Sequence, residues 1–455
     1  MSIQARQIFP VLVAAMILWS QLLVQPIVGL ADNADYVNVT GPLQLVPAVP
    51  VEESERYFDF VIPVWRQDPN EPVKVRLFTS TVLPAAIVLY GTGPFTGGLL
   101  GLRLVGLMHS LLFLAALWLL APIVRSPVVW MAILAVLCDV AYFAYFNSFY
   151  MDVGSFLYLL LSAAFYARLA ARHGNMRWNA AGLMVAILLL LTSKLQHTFL
   201  LGPIALLLLL DRRMRELLPR KAIAAYVALL CAAVWGMYQR VPEDYRAMAA
   251  YHVVFSDLLM YSQNQAQVLK ELDLPPEMVG FRGTDAFGPE SGMVHPSYRA
   301  MLIRELSHWK LLRYYLRHPE VPLRLTEAGL RDGALERHFG HGNFTKSAGK
   351  APAAMSHAFA LVSDTRRALF QPRPWLYAGY LLAVLLGMIY WYRGSPAALA
   401  LAAMAGIEFF LSALADCKET GRHLFLFRTL MDVALVALVY RLCHVYGVFV
   451  ENRHS

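Results

Sequence analysis

IFPVLVAAMILWSQLLVQPIVGL, residues 8–30, runs without a break into ADNADYVNVTG, residues 31–41. An apolar run of this length crosses a hydrocarbon core of about 30 Å as one helix. It exceeds the apolar core of a signal peptide, so with Arg6 before it the run is taken as a retained first span. At its mouth stand two acids, Asp32 and Asp35. They are either a solvated loop that ends the span or working carboxylates at the membrane edge.

The rest of the chain repeats the first pattern. Of 455 residues, 58% are hydrophobic and only 15% charged, and the mean hydropathy is +0.50. A soluble chain carries roughly a quarter charged residues. Apolar runs at 99–121, 127–146, 153–170, 179–192, 198–210, 222–239, 375–392, 396–413 and 424–447 follow the first. The expected fold is therefore an all-α polytopic membrane protein of about ten spans. Residues 81–93 are apolar but short, which suits an interfacial or re-entrant helix.

The net charge of +8 does not point to nucleic acid, because much of it sits in short connections between apolar runs. RLAARHGNMR (168–177) and DRRMRELLPRK (211–221) read as cytoplasmic loops. Both termini are then inside, and 31–98, 147–152, 192–198, 240–373 and 414–423 face outward. The chain divides into a membrane module 1–239, an extracytoplasmic stretch 240–373 and closing spans 374–455. The cysteines, Cys138, Cys231, Cys417 and Cys443, form no CxxC pair and read as small buried hydrophobes.

Polar clusters collect on the outward side. A carboxylate shielded at the membrane edge has a raised pKa and can take a proton from a sugar hydroxyl. The spacing of Asp32 and Asp35 puts both on one face only if the segment is helical. FNSFYMD (146–152) offers Asn147, Tyr150 and Asp152, as an aromatic belt or as a sugar platform. TSKLQHT (192–198) offers Lys194 and His197, and the lysine either snorkels or meets a phosphate. ADCKETGRHLFLFRTLMD (415–432) offers Asp416, Lys418, Glu419, Arg422, His423 and Arg428. Arg428 inside a span needs a carboxylate or a phosphate, and Asp432 one turn on is the local partner. The stretch 240–373 adds His252, and His338 and His341 without a metal-binding pattern.

YHVVFSDLLMYSQNQAQVLKELDLPPEMVGFRGTDAF (251–287), YFNSFYMD (145–152), LTSKLQH (191–197) and GRHLFLF (421–427) resemble segments of bacterial surface-glycan hexose transferases of the polytopic GT-C type. Where that family often reads FNSFYGE, this chain has Met151 and Asp152. The resemblance implies a GT-C-like bundle in the bacterial inner membrane with interfacial helices. It implies a polyprenyl-phosphate sugar donor, a glycan or lipid acceptor, and chemistry on the periplasmic or exterior face. Asp35 is then the first candidate base and Asp32 the second. Lys194, His197, Arg422, His423 and Arg428 would meet the phosphate, and Asn147, Tyr150, Asp152 and His252 the substrates. Direct displacement would invert the anomeric centre, and a divalent Mg or Mn ion would fit such chemistry without being required.

Two other classes stay open. A lipid or glycan transporter or flippase would show internal repeats and deep polar residues, of which only Asp139 and Glu408 stand out. A non-catalytic envelope assembly protein would use its outer loop and tolerate loss of Asp35.

Overall fold

The computed structural model describes residues 3–335, 337, 340–415 and 419–447. His338, Asp416, Cys417 and Lys418 lie outside the described residues. Helix α1, Ile3–Leu22, stops well short of residue 30, and residues 27–32 are non-helical. Strands β1 (Leu45–Pro47) and β2 (Val64–Gln67) follow, then helix α2 (Val82–Thr96) and strand β3 (Leu99–Gly101). The strands form an antiparallel sheet in the order β1-β2-β3, with Val46 opposite Arg66 and Trp65 opposite Leu100.

Among the described residues this sheet is the one departure from helices and their connections, and it has a positional role. Trp65 on β2 is buried, with its ring 6.0 Å from Tyr36 and 5.3 Å from Phe149. The sheet thereby holds the turn that carries Asp32 and Asp35.

The bundle proper begins with α3 (Leu102–Leu120). Helices α4 (Pro127–Leu137) and α5 (Val140–Asn147) meet at a bend of 47°. Asp139 sits at the break, accepts from the Ala141 amide at 2.9 Å, and binds the Ser363 amide and hydroxyl. It is an N-cap that starts a new helix where a continuous span was expected. Then come α6 (Met151–Ala170), α7 (Met176–Leu191), α8 (Leu195–Leu210) and α9 (Arg220–Gln239). Asn175 caps α7 by accepting from the Arg177 and Trp178 amides.

Outside the bundle, α10 (Glu243–Tyr251) runs on as a π-helical turn, His252–Leu258. With α11 (Pro296–Glu305), α12 (His308–Arg317) and α13 (Glu320–Gly333) it forms a layer around its own core of Tyr251, Phe255, Leu302, Tyr314 and Leu325. Helix α14 (Leu361–Phe370) leads back to α15 (Pro374–Trp391), α16 (Pro396–Leu414) and α17 (Phe425–Val445). Proline in the first turn starts α4, α15 and α16, where a missing amide proton costs nothing.

The molecule is a multi-pass, all-α membrane protein apart from the small sheet. Among the described residues, α3, α6, α9, α15 and α16 are long and apolar enough to span, and α4 with α5 makes six if the bent pair is one span. That is fewer than the ten expected. The apolar parts of α1, α7 and α8 are shorter, and α17 carries Arg428, Asp432 and Arg441. Helix α2 rises only about 22 Å, too short for a bilayer. Large apolar side chains such as Trp118, Trp235, Leu386 and Phe410 are exposed on the spanning helices, as on a bilayer-facing surface.

Helix α6 is enclosed by α3, α7 and α17. The basic connections gather at one end of the bundle, where Arg168 donates to the Leu119 carbonyl at 3.1 Å and Arg172 meets Glu216 at 3.3 Å. The acids of the first loop stand at the other.

Asn147, at the end of α5, fastens this second end. Its amide donates to the carbonyls of Leu22 (2.9 Å) and Val28 (2.8 Å), so it holds the chain leaving α1. Its oxygen packs on Gly106 of α3 so closely that a Cβ there would lie 2.0 Å away. Gly106→Ala should therefore cost about 1–3 kcal/mol through overpacking. Thermal melting in detergent should show a lowered midpoint, while Gly202→Ala, with nothing within 4 Å of its Cβ, leaves the midpoint nearly unchanged.

Candidate functional site

Residues 33–36 form a turn, not a helix, with Ala34 at φ 78°. The two acids consequently part company. Asp32 turns inward: it is buried, and its Oδ1 accepts from the Tyr36 amide at 3.1 Å. Burial pushes its carboxyl up to about 7, helped by Asp35 and opposed by the Tyr36 amide and by Arg56. Asp35 turns outward, with its side chain 28% exposed, and meets Arg422 at 2.5 Å and Arg76 at 3.8 Å.

Arg422 is the hub. It lies in the helical turn Thr420–His423 between α16 and α17 and is buried. Its guanidinium reaches Asp35, Asp152 at the start of α6 (3.5 Å) and Glu419 (2.9 Å), and lies 5.2 Å from the centre of the Tyr150 ring. Burial opposes the charge, but Asp35, Glu419 and Asp152 outweigh it and hold Arg422 firmly protonated. Asp152 also takes Lys194 at 3.1 Å, and Glu419 takes the Asn33 amide at 2.7 Å. The Tyr150 hydroxyl donates to the Ala31 carbonyl at 2.7 Å. Asp35 and Arg76 form the accessible rim of this cluster, while Arg422, Asp152 and Lys194 form its buried floor.

His197 belongs to a separate chain of bonds. Its Nδ1 is 2.8 Å from Glu408 of α16 and its Nε2 2.8 Å from the Ser155 hydroxyl. Serine, histidine and carboxylate in that order is the arrangement of a nucleophile, its base and an orienting acid. Ser155 and Glu408 are fully enclosed, and the Ser193 hydroxyl is 3.0 Å from Ser155. The chain therefore clamps α6, α8 and α16 together. Gln196 reinforces it through Glu408 (2.6 Å) and Ser412 (2.9 Å), and Ser412 donates to the His423 carbonyl.

The remaining candidates make other contacts. Arg428 donates to the Gly421 carbonyl at 2.6 Å, and Asp432 takes Arg366 of α14 and the Tyr142 hydroxyl, both at 2.6 Å. The side-chain nitrogen of Asn147 is spent on backbone carbonyls. His252 accepts from the Ala286 amide and lies 3.5 Å from Asp285, in the layer above the bundle. It is 6.0 Å from the Phe287 ring, which in turn faces Arg76.

Arg76 was not singled out in the sequence. It stands at 3.8 Å from Asp35, 5.7 Å from the Tyr245 ring, 5.8 Å from the Phe287 ring and 3.3 Å from the Met248 sulfur. It thus connects the acid rim to α10 and the overlying layer. Nothing local in VKVRLFTS distinguishes it from neighbouring surface charges. Ser155 had a signal: it lies one helical turn after Asp152 within an apolar run.

No group of three His, Cys, Asp or Glu suited to a metal ion occurs among the described residues. The carboxylates of the cluster face protein cations instead, which does not fit the divalent ion considered above. Clefts lined by Glu271, Asp273, Lys310 and Arg317, and by Leu169, Arg172, Arg213 and Glu216, lie away from the cluster.

Fold and site together describe a polytopic membrane protein with a closed charge cluster at one end of its bundle. Over residues 2–454 the chain matches the family of the YfdI N-terminal transmembrane domain, and it belongs to that family. No curated protein and no solved structure matches it.

Two outcomes follow from the cluster. Arg422→Ala leaves buried Asp152 short of a cation and should cost about 3–5 kcal/mol, seen as a lowered melting midpoint. Asp32 in the folded chain keeps a proton that the unfolded chain releases between about pH 4 and 7. Its contribution to stability is therefore full at the acid end, falls as pH rises through that window and is gone above about pH 7. The change is on the order of 4 kcal/mol, and melting of Asp32→Asn against pH should lack that slope.

Proposed function

We propose that the chain is a membrane-embedded glycosyltransferase of GT-C-like architecture. It would move a sugar from a polyprenyl-phosphate donor to a glycan or lipid acceptor at the charged end of the bundle. The observation that carries the reading is the hub: a buried, protonated Arg422 joins a rim carboxylate, Asp35, to the Asp152–Lys194 pair. Carboxylates suited to acid–base work and cations suited to a phosphate thus stand side by side, which supports the reading.

In the transfer, an acceptor hydroxyl gives its proton to Asp35 or Asp32 while its oxygen attacks the anomeric carbon. The bond from that carbon to the phosphate oxygen breaks, and the lipid phosphate leaves with the electron pair. The leaving group is already anionic, so it needs cations rather than a proton. Arg422 and Lys194 supply them by exchanging a carboxylate partner for the phosphate. A single displacement inverts the anomeric centre.

The basic connections at the opposite end favour an orientation with that end in the cytoplasm of a bacterial cell, both termini inside and the cluster outward. Helix α2 would then lie in the outer interface. A second reading, translocation of a lipid-linked glycan, draws on the bent α4–α5 pair with Asp139 at its break.

The test uses the purified full chain in vesicles with a panel of polyprenyl-phosphate sugars, reading lipid-phosphate release and movement of the lipid between leaflets. Wild type should release lipid phosphate, and Asp35→Asn or Asp32→Asn should slow release by about 10²–10⁴-fold at a pH and temperature where melting shows the variant still folded. Unchanged release in both variants removes the acids from the mechanism. Movement between leaflets without release replaces transfer by translocation.

A further inference from the structure

Helix α12 carries a surface that the charge cluster does not use. Leu311 and Tyr314 face the core of the overlying layer and are buried. Trp309, Leu312 and Leu316 face away from it and are 77%, 46% and 75% exposed. Positions 309, 312 and 316 stack on one side of a helix. Lys310, Arg313 and Arg317 occupy the other flank of the exposed arc. The outer face is thus half apolar and half basic, as in helices lying in a membrane interface.

The position of the helix agrees. The Tyr315 hydroxyl donates to the carbonyl of Leu414 at 2.8 Å, and Leu414 ends the spanning helix α16. On α16, Phe410 is 53% exposed one turn further into the bundle. Helix α12 is therefore held at the level where a spanning helix leaves the bilayer.

The charges say which lipid surface fits. Lys310 is bound by Asp273 (2.7 Å) and Glu305 (3.0 Å), and Arg317 meets Glu271 at 3.7 Å. Arg313 makes no ion pair among the described residues. Both signs of charge stand together, which matches zwitterionic phospholipid headgroups better than a purely anionic surface. We infer that α12 is an in-plane anchor. It buries Trp309, Leu312 and Leu316 at the headgroup–acyl boundary, sets Arg313 on a lipid phosphate, and so seats the 243–333 layer on the bilayer. The inference is independent of the transferase reading.

The test uses the full chain with Cys231 and Cys417 replaced by serine and an environment-sensitive fluorophore on Leu316→Cys. The protein is placed in phosphatidylcholine vesicles containing lipid with a spin label near its headgroup. The 316 label should be quenched several-fold more than a label on Lys350→Cys, an exposed position outside this layer. Quenching should persist in high salt, because apolar burial rather than net charge holds the helix. Trp309→Asp with Leu316→Asp should abolish quenching of a label on Leu312→Cys while melting of the bundle is retained. Equal quenching at 316 and 350, or unchanged quenching in the double variant, overturns the anchor. Emission at 316 that ignores the lipid label but changes on dilution with unlabelled copies also overturns it, in favour of contact between copies.

Discussion

One guanidinium holds the charged end of this protein together. Arg422 stands between three carboxylates contributed by the first loop, by the start of α6 and by its own turn. A buried cation without partners is strongly unfavourable, and so are buried carboxylates without cations. The connection between α16 and α17, the start of α6 and the Asp35 turn must therefore stay in register for Arg422 and Asp152 to stay buried with their charges paired. Lys194 and Arg76 extend the same constraint to α7, α8 and the overlying layer.

Backbone pairing supports that arrangement from the other side. Residues 29–31 bond to 342–343: the Gly29 amide donates to the Asn343 carbonyl and the Ala31 amide to the Gly342 carbonyl, each at 2.9 Å. Val61 donates to the Phe344 carbonyl at 2.9 Å, and the Asn343 amide group returns to the Gly29 carbonyl at 2.7 Å. A segment more than 300 residues away in sequence thus closes the chain leaving α1. It satisfies polar backbone that would otherwise be stranded beside the bundle. With the small sheet and Asn147, it keeps the 32–36 turn rigid enough to separate two acids only three positions apart.

That separation is the main chemical consequence of the fold. The buried Asp32 is held near neutrality by loss of water, whereas Asp35 is ion-paired and open to the outside. The transfer proposed for this end of the bundle draws on that split between a buried and an accessible acid. The serine–histidine–glutamate chain beside them shows the opposite case, in which catalytic-looking residue types are enclosed and serve to join helices.

Much of the helical layout was legible in the sequence, because apolar run length reports directly on burial in lipid. Most apolar runs became helices close to their expected places, and the polar clusters singled out in the sequence contain Asp35, Asp152, Lys194 and Arg422, which meet in the fold. Run length overstated how many helices can span, since α1 gives way before residue 30, Asp139 restarts a helix inside the third run, and α17 hides three charges. The partners were not legible at all. Arg76 looked like any surface charge, Asp432 pairs with Arg366 rather than standing as the local partner of Arg428, and Asn147 proved to be a backbone clamp. By itself the sequence determined a helical membrane chain and the end where polar side chains gather, because hydropathy is a local property. Only the tertiary structure decided which acid is buried and which cation meets which carboxylate, because burial and ion pairing depend on segments that meet across hundreds of residues.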